Sequence, residues 1–169
     1  DFRFLKSLFI SYNIDIVYHA AAYKHVPLLE RNPLQAIQNN IISSYSICRA
    51  AEDANLSKVT LISTDKAVRP TNIMGASKRF SELIFQSFAE QTLKNNSLEK
   101  TKKIKFLIVR FGNVLGSSGS VVPLFKKQIA SGGPITLTDE RIIRYFMTMP
   151  EAAQLVIQAT SLSKGGEVF

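Results

Sequence analysis

The stretch Lys58-Val-Thr-Leu-Ile-Ser-Thr-Asp-Lys66 decides the fold, because a short apolar run ends there in a hydroxyl, a carboxylate and an ammonium. Nearly continuous apolar runs of this length are typical of parallel strands that are covered on both faces. Polar groups directly after such a strand lie at the carboxyl edge of the sheet, where open α/β folds keep their chemistry. We therefore expect Thr64, Asp65 and Lys66 to belong to a site.

Working outward from this stretch, strand-like runs alternate with helical patterns. The predicted strands are Ile14–Tyr18, Val59–Ser63 and Ile104–Arg110. The first helix begins at Asn32-Pro33, an N-cap followed by a proline, and the last covers roughly Pro150–Leu162. Two apolar stripes recur at three- and four-residue steps: Leu34, Ile37, Ile41, Tyr45 and Cys48, then Phe80, Leu83, Ile84 and Phe88. The alternation predicts an α/β fold with a parallel sheet, flanking helices and right-handed crossovers.

The chain also lacks a feature that nucleotide-binding folds of this type carry. Such folds begin with a strand, a glycine-rich turn and a helix that receives the pyrophosphate, and no G-x-G-x-x-G occurs here. After Arg110, glycines and prolines break up the pattern, as expected of loops around a substrate. We interpret the chain as a single-domain fragment (1–169), with an incomplete parallel-sheet part in 1–110 and a mainly substrate-binding part in 111–169. Its first strand would then have an open edge.

Composition limits the classes of function. The chain has 169 residues, 46% of them hydrophobic and 20% charged, as in an ordinary globular domain. A charge of +8 suits nucleic acid, anionic lipid or a phosphorylated small molecule. The densest basic group, Lys100, Lys102, Lys103 and Lys105, lacks the interleaved aromatic residues of a stacking platform. We therefore expect a solvated loop there and no nucleic-acid partner.

Cysteine and histidine are scarce. The single cysteine, Cys48, excludes an internal disulfide framework and is expected to be a buried structural thiol. With only two histidines no metal site is expected, and His19 is expected to make a local hydrogen bond. No transmembrane span or signal peptide is evident, which favours a cytoplasmic location.

The segment Tyr18-His-Ala-Ala-Ala-Tyr-Lys-His-Val-Pro27 follows the first predicted strand. Its small side chains would let a flat cofactor approach the backbone, although an ordinary turn has the same composition. The candidate cofactor-binding residues are Ala20, Ala21 and Ala22, and the candidate phosphate or sugar ligands are Lys24 and His25. Either of the last two could equally be a surface charge.

Lys78 lies one helical turn after Met74. In short-chain dehydrogenase sites this spacing joins a tyrosine, which transfers a proton, to a lysine, which binds the nicotinamide ribose. Methionine cannot transfer a proton, and a lone M-x-x-x-K is more often a core residue beside a surface lysine. The pattern gains weight from the upstream Thr64-Asp65-Lys66. If Met74 is inert, Asp65 must supply the missing acid–base function.

Two later stretches carry groups that suit a nucleotide sugar. Arg110-Phe-Gly-Asn-Val-Leu-Gly-Ser-Ser-Gly-Ser-Val-Val-Pro123 offers glycines, hydroxyls and the amide of Asn113. Arg144-Tyr-Phe-Met-Thr148 offers a guanidinium, which is well matched to a diphosphate. A plain turn and a surface arginine are the alternative interpretations.

Together these motifs resemble a known family. His19–Pro27, Ser63–Arg79, Arg110–Pro123, Gln128–Thr136 and Arg144–Thr148 are similar to the inverting UDP-N-acetylglucosamine 4,6-dehydratases of polysaccharide biosynthesis, a branch of the extended short-chain dehydrogenases. The resemblance implies a Rossmann-like sheet lacking the amino-terminal nucleotide-binding βαβ unit. Met74 resembles the subgroup without the usual tyrosine, which includes large membrane-anchored members.

The resemblance also implies cofactor, substrate and roles. NAD would take hydride from C4 of a UDP-sugar and return hydride to C6, in an enzyme expected to be a homo-oligomer. Lys66 would be the C5 base, Asp65 the acid at C6, Thr64 a partner of the 4-hydroxyl, and Lys78 the ribose ligand. The implied cofactor-binding residues are Ala20, Ala21, Ala22, Asn40, Ser63 and Lys78, and the implied substrate-binding residues are Lys24, His25, Asn113, Ser120, Val121 and Arg144. A sugar epimerase on the same scaffold and a non-catalytic binding module are the alternatives.

Overall fold

The computed structural model describes residues 1–94, 104–117, 119–137 and 139–169. The α-helices are α1 (Phe2–Ser11), α2 (Val26–Arg31), α3 (Pro33–Ala36), α4 (Ser43–Asp53), α5 (Ile73–Lys94), α6 (Val121–Ala130) and α7 (Met149–Leu162). A π-helical segment (Ile37–Ile42) joins α3 to α4, and a 3₁₀ turn (Asp65–Ala67) precedes α5. The strands are β1 (Ile16–His19), β2 (Lys58–Thr64), β3 (Lys105–Phe111), β4 (Asn113–Val114) and β5 (Phe146–Met147).

Strands β1, β2 and β3 form a parallel sheet with β2 in the centre. Val59 of β2 lies between Val17 and Phe106, which fixes the register. The three strands predicted from the sequence are therefore confirmed, with ends that differ by one or two residues. Beyond β3, the backbone of Glu167–Phe169 exchanges hydrogen bonds with Ile108. In the part of the chain that the structure describes, the outer edge of β1 carries no further strand.

The main core lies between the sheet and helices α1, α4 and α5. Val59, Leu61 and Phe106 project from the strands onto Phe85 of α5 and Cys48 of α4, and all five are buried. Phe85 and Phe106 meet edge to face with ring centroids 5.9 Å apart, a favoured aromatic geometry. The opposite face of β3 is covered by α7. Burial of the Cys48 thiol raises its pKa, and the nearby Glu52 adds to the effect, as expected of a structural cysteine.

The two predicted apolar stripes are only partly correct. Cys48 and Phe88 are buried, whereas Leu34, Ile37, Tyr45, Phe80 and Leu83 are exposed. The π-helical turn widens the first helix and rotates its faces, so a single α-helical period does not describe it. On α5 the buried face carries Ser77, Lys78, Ser81 and Glu82, because these polar groups find partners inside.

Three helices lie where no helix was predicted: α1, α2 and α6, the last in the region after Arg110 that was expected to form loops. Asp1 caps α1 through its side chain, which accepts hydrogen bonds from the amides of Arg3 and Phe4. Helix α2 has six residues and no side-chain cap, so it leaves little trace in the sequence. Among the described residues, no helix is long and apolar enough to cross a membrane. The basic residues Lys100, Lys102 and Lys103 lie outside the described residues, and Lys105 begins β3.

Candidate active site

The candidate site is built around the carboxyl end of β2, as the sequence predicted. Thr64 ends the strand, and its hydroxyl accepts a hydrogen bond from the Lys66 amide at 3.4 Å, which caps the 3₁₀ turn. Helix α5 begins directly against this turn. A Cβ at Gly75 would lie 2.5 Å from the Lys66 carbonyl oxygen, so only glycine allows this approach. The turn and the start of α5 are thereby held as one unit.

Asp65 and Lys66 form an ion pair in which Nζ lies 2.9 Å from Oδ1. The Thr64 hydroxyl donates to the same oxygen at 2.9 Å, and Lys66 Nζ also lies 3.4 Å from Oδ1 of Asn113. Partial burial raises the pKa of Asp65, but the hydrogen bonds from Lys66 and Thr64 and the Lys66 charge outweigh it, so this pKa lies below its ordinary value. Asp65 is therefore an ionised carboxylate, and the groups that donate hydrogen bonds to it, Thr64 and Lys66, are themselves residues of the site.

Lys78 approaches the same edge of the sheet from α5. Its Nζ donates to the Ile62 carbonyl oxygen at 3.0 Å, and the residue is only 9% exposed. Burial lowers the pKa of Lys78 to about 8, against an opposing attraction from Glu82. The remaining N–H groups of this ammonium are not bonded to the described part of the chain, which leaves donors for a ligand.

Met74 offers no polar group to the Asp65–Lys66 ion pair. It is buried in a small apolar cluster with Leu29 of α2 and Ala36 of α3, and Val26 and Ile73 pack against the cluster. The residue that stands in the tyrosine position therefore joins α5 to the two short helices. The prediction that it transfers no proton rests on the chemistry of its thioether.

Asn40 ties the loop after β1 to α5. The residue is buried within the π-helical segment. Its amide donates to the Ser77 hydroxyl at 2.9 Å and to the Tyr23 carbonyl at 3.0 Å, and its Oδ1 accepts from the Tyr23 amide at 2.8 Å. The Asn40 carbonyl accepts from Ser44 and Ser81. These bonds hold the loop that carries the alanine run beside the helix that carries Lys78.

His19 is buried at the end of β1, and its Nε2 lies 3.1 Å from the Ser44 hydroxyl. Because Ser44 donates its proton to the Asn40 carbonyl at 2.6 Å, Nε2 is the donor in the first bond. His19 thus makes a hydrogen bond, as predicted, but its partner lies 25 residues along the chain and not nearby in sequence. Nδ1 then faces the interior as an acceptor without a partner among the described residues. Burial, with a smaller contribution from Lys78, lowers the pKa of His19 to about 4, so the ring is neutral.

Ser63 and Glu82 form a contact that the sequence did not reveal. The Ser63 hydroxyl, which was predicted to bind cofactor, donates to Oε1 of Glu82 at 2.6 Å. Glu82 also accepts a two-bond contact from Arg110 and a bond from Arg79. Arg110 lies 28 residues further along the chain, and no motif spacing indicates the pairing.

The predicted substrate ligands lie on loops around this edge. Ala20, Ala21, Lys24 and His25 are exposed, and Ala22 is half-buried. The His25 ring lies against Gly119, where a Cβ would come within 2.0 Å of Cε1. Next to it, the Ser120 hydroxyl is buried with no partner in the described ranges, and Val121 opens α6.

The loop after β3 and the segment before α7 close the other side of the site. Asn113 of β4 pairs with Phe146 of β5, so Arg144, two residues before Phe146, lies at this edge and is exposed. A Cβ at Gly112 would lie 3.6 Å from Oδ2 of Asp65 and 3.7 Å from the Tyr145 carbonyl. The structure thus brings Asn113 to the ion pair and leaves the Arg144 side chain free of any described ion pair.

Comparison with known proteins identifies the family. The sequence profile of the family described as polysaccharide biosynthesis protein matches residues 1–169. The chain belongs to this family. Its Rossmann-like α/β fold is confirmed by the crystal structure of Pen from Bacillus thuringiensis, which superposes with a TM-score of 0.89 at 38% identity over 99% of this chain and 49% of that one.

Curated relatives in this family carry more than one activity. The chain is 56% identical over 153 residues to the capsular polysaccharide biosynthesis protein CapD of Staphylococcus aureus, covering 90% of this chain and 24% of CapD. It is 37% identical to an inverting UDP-N-acetylglucosamine 4,6-dehydratase of Campylobacter jejuni (93% and 45% covered). It is 36% identical to a UDP-glucose 4-epimerase of Rickettsia bellii (93% and 44% covered). The chain therefore spans a quarter to about half the length of these relatives.

Proposed function

We propose that this chain is the catalytic region of an NAD-dependent nucleotide-sugar 4,6-dehydratase that acts on UDP-N-acetylglucosamine. The observation that carries the proposal is the Asp65–Lys66 ion pair at the carboxyl end of β2, 2.9 Å across, with buried Met74 in place of a proton-transferring tyrosine. An elimination needs a base and an acid side by side, and this pair supplies both. The identity to the Campylobacter jejuni dehydratase supports the choice of reaction.

The residues at the edge of the sheet suit NAD. Exposed Ala20 and Ala21 leave room for a flat ring next to β1, buried Lys78 has N–H donors to spare, and Nδ1 of His19 is an unpaired buried acceptor within the described structure. Asn40 and Ser63 act on this side by fixing the loop and the strand end. When bound, NAD supplies the hydride chemistry at C4 and C6 of the sugar.

The ion pair acts by moving one proton. Transfer from Lys66 Nζ to Asp65 across the 2.9 Å contact gives a neutral amine and a neutral carboxylic acid, the forms that remove the C5 proton and protonate the C6 hydroxyl. The two side chains are 35% and 58% exposed without a ligand. Enclosing them with a sugar removes water, which favours the neutral pair over the charged one.

Thr64 and the surrounding loops position the sugar nucleotide in this proposal. The Thr64 hydroxyl, now bonded to Asp65, turns to the 4-hydroxyl of the substrate. The diphosphate and uridine are bound by Lys24, His25, Asn113, Ser120, Val121 and Arg144, of which Lys24 and Arg144 bring exposed positive charge. Residues 111–169 are thus mainly the sugar-nucleotide part, and residues 1–110 mainly the cofactor part.

An epimerase is the second candidate, because a Rickettsia bellii relative of similar identity is a UDP-glucose 4-epimerase. Both reactions begin by oxidising C4, but only the dehydratase needs an acid at C6 and a base at C5. A non-catalytic binding module has no use for the Asp65–Lys66 pair.

Isotope exchange and product mass test the proposal. The full-length enzyme is incubated with UDP-N-acetylglucosamine in D₂O, and the product is examined by mass spectrometry and NMR. A dehydratase gives a product lighter by one water with deuterium at C5, whereas an epimerase gives an isomer of unchanged mass. Lys66→Ala is expected to abolish the C5 exchange. Exchange at the wild-type rate in this variant would remove Lys66 from its role.

A homo-oligomer is also part of the proposal. Exposed apolar side chains accumulate on the π-helical segment, α4 and α5, where Ile37, Tyr45, Phe80 and Leu83 face outward. Exposed apolar side chains on these neighbouring helical elements suit contact with a second copy of the chain. The cytoplasmic location and the membrane anchor of the full-length protein stay predictions, which cell fractionation tests.

A further inference from the structure

Glu82 is a fully buried carboxylate that the proposed reaction does not use. Oε1 accepts from the Ser63 hydroxyl at 2.6 Å and from Arg110 Nε at 2.8 Å. Oε2 accepts from Arg110 Nη2 at 2.6 Å and from Arg79 Nη1 at 2.9 Å. Each oxygen therefore has two donors, and these donors hold the pKa of Glu82 below its ordinary value although burial alone would raise it.

The position of this carboxylate links it to the site. Ser63 directly precedes Thr64 at the end of β2, and Arg110 precedes the Gly112-Asn113 loop that reaches Asp65 and Lys66. Glu82 lies one helical turn after Lys78 on the same face of α5. The Glu82 side chain thus joins α5 to the ends of β2 and β3. The residues that follow these two strands form the site.

Stability alone is a weak explanation for such a group. Burying a charge is costly, and well-packed apolar residues commonly hold a helix to a sheet at least as well as a buried ion pair. A carboxylate at this place does supply what an apolar residue cannot, which is a fixed negative charge near the Lys78 ammonium.

Among the described residues, few other charges face Lys78. His19, from β1, is neutral near pH 7 because its pKa lies at about 4. The segment that follows α3 presents the neutral groups of Asn40 and Ser44. Arg79 and Arg110 are positive and already paired with Glu82, and the Asp65–Lys66 pair has no net charge. Glu82 is therefore the group that counteracts the burial of this lysine.

We propose that Glu82 is a positioning residue that keeps Lys78 protonated for the cofactor and that aligns the ends of β2 and β3 through Ser63 and Arg110. This inference rests on the proposed role of Lys78 as a ribose ligand. It predicts that affinity for NAD falls as the pH rises past the ionisation of Lys78. It also predicts that the charges around Glu82 set the midpoint of that fall.

The experiment measures NAD binding to the full-length protein, freed of nucleotide, by isothermal titration calorimetry between pH 6.5 and 10. Glu82→Gln keeps the shape of the side chain and removes its charge, so the midpoint should move to lower pH by about one unit. Arg79→Gln removes a partly exposed positive charge beside Glu82, so the midpoint should move to higher pH. The control is Glu90→Gln, an exposed glutamate on the same helix, which should leave the midpoint unchanged.

The two variants are expected to shift the pH midpoint in opposite directions, which distinguishes this role from a general loss of stability. A merely structural Glu82 would lower the fraction of folded protein or the melting temperature but leave the midpoint where it is, and that result overturns the inference. Midpoints that move the same way in both variants, or wild-type affinity that does not change with pH, overturn it too. If Glu82→Gln does not fold, Arg79→Gln decides alone. A midpoint at higher pH then supports the inference, and an unchanged midpoint overturns it. Because binding is read without turnover, an enzyme that binds NAD but releases no water refutes the proposed function and leaves this inference standing.

Discussion

Lys66 Nζ lies 2.9 Å from Oδ1 of Asp65, so the proposed base and acid are one hydrogen-bonded unit. They are adjacent in sequence, and the 3₁₀ turn that holds them is fixed by the Thr64 cap and by the approach of Gly75. Changing either residue removes a hydrogen-bond partner of the other. Substitution of either residue should therefore affect both the proton removal at C5 and the loss of water at C6.

Asp65→Asn should slow both deuterium exchange at C5 and formation of the dehydrated product by about 100-fold or more, because Lys66 then has no carboxylate to accept its proton and the C6 hydroxyl leaves without an acid. Both rates are measured on one sample of the full-length enzyme, by NMR and by mass spectrometry. Asp53→Asn is the matched control, since Asp53, at the end of α4, pairs with Lys6 of α1 at a similar 3.0 Å. An Asp65→Asn enzyme that dehydrates at the normal rate would assign the acid to another group.

The strands, and the position of Asp65 and Lys66 at the end of β2, could be predicted from the sequence because their signals are local. A β-branched run marks β2, and the three residues after it carry the polar groups, so their spatial neighbourhood follows from chain order. The same holds for the α7 start, where Thr148 and Glu151 form a capping box.

The contacts around Glu82 could not be predicted, because they depend on residues that are distant in the chain. Ser63, Glu82 and Arg110 belong to three elements, and no spacing rule relates them. The apolar stripe on α5 was only partly correct for a similar reason. The buried face of α5 is partly polar, and it is recognisable only once its partners are in place.

Gly119→Ala should weaken substrate binding. The new Cβ would lie 2.0 Å from His25 Cε1, and the residue has a φ of +67°, so the ring and the loop must move apart. We expect KM for the UDP-sugar to rise about tenfold or more with a smaller change in kcat. Gly116→Ala is the control, because Gly116 has a similar φ of +71° but no neighbour within 4 Å. Equal effects of the two substitutions would mean that backbone strain, not His25, is responsible.

Leu83→Glu should dissociate the proposed oligomer, because Leu83 is 44% exposed on the outward face of α5 and a charge there opposes burial against a second copy. Light scattering after size-exclusion chromatography measures the mass. Glu90→Gln on the same helix should leave it unchanged. A wild-type protein that is monomeric at micromolar concentration would contradict the proposal.

The stability of the protein should depend on pH through Lys78. Its pKa is about 8 in the folded chain, against 10.5 for an ordinary exposed lysine, so between these values the unfolded chain binds more protons. The free energy of unfolding then rises with pH, by at most about 3 kcal/mol from this group. Below pH 8 the buried ammonium carries its full penalty. Above pH 10.5 the penalty is gone.

Lys78→Met removes this dependence. The variant should be more stable than wild type at pH 7, by less than the full amount because the bond to the Ile62 carbonyl is lost, and the advantage should shrink as the pH approaches 10. Urea unfolding at pH 7, 8, 9 and 10 measures the difference. Lys94→Met, at an exposed position near the end of the same helix, is the matched control and should show no such trend. If Lys78→Met is more stable than wild type by the same amount at every pH, the ionisation of Lys78 does not change on folding. The aliphatic part of the side chain, and not its charge, would then determine the difference in stability.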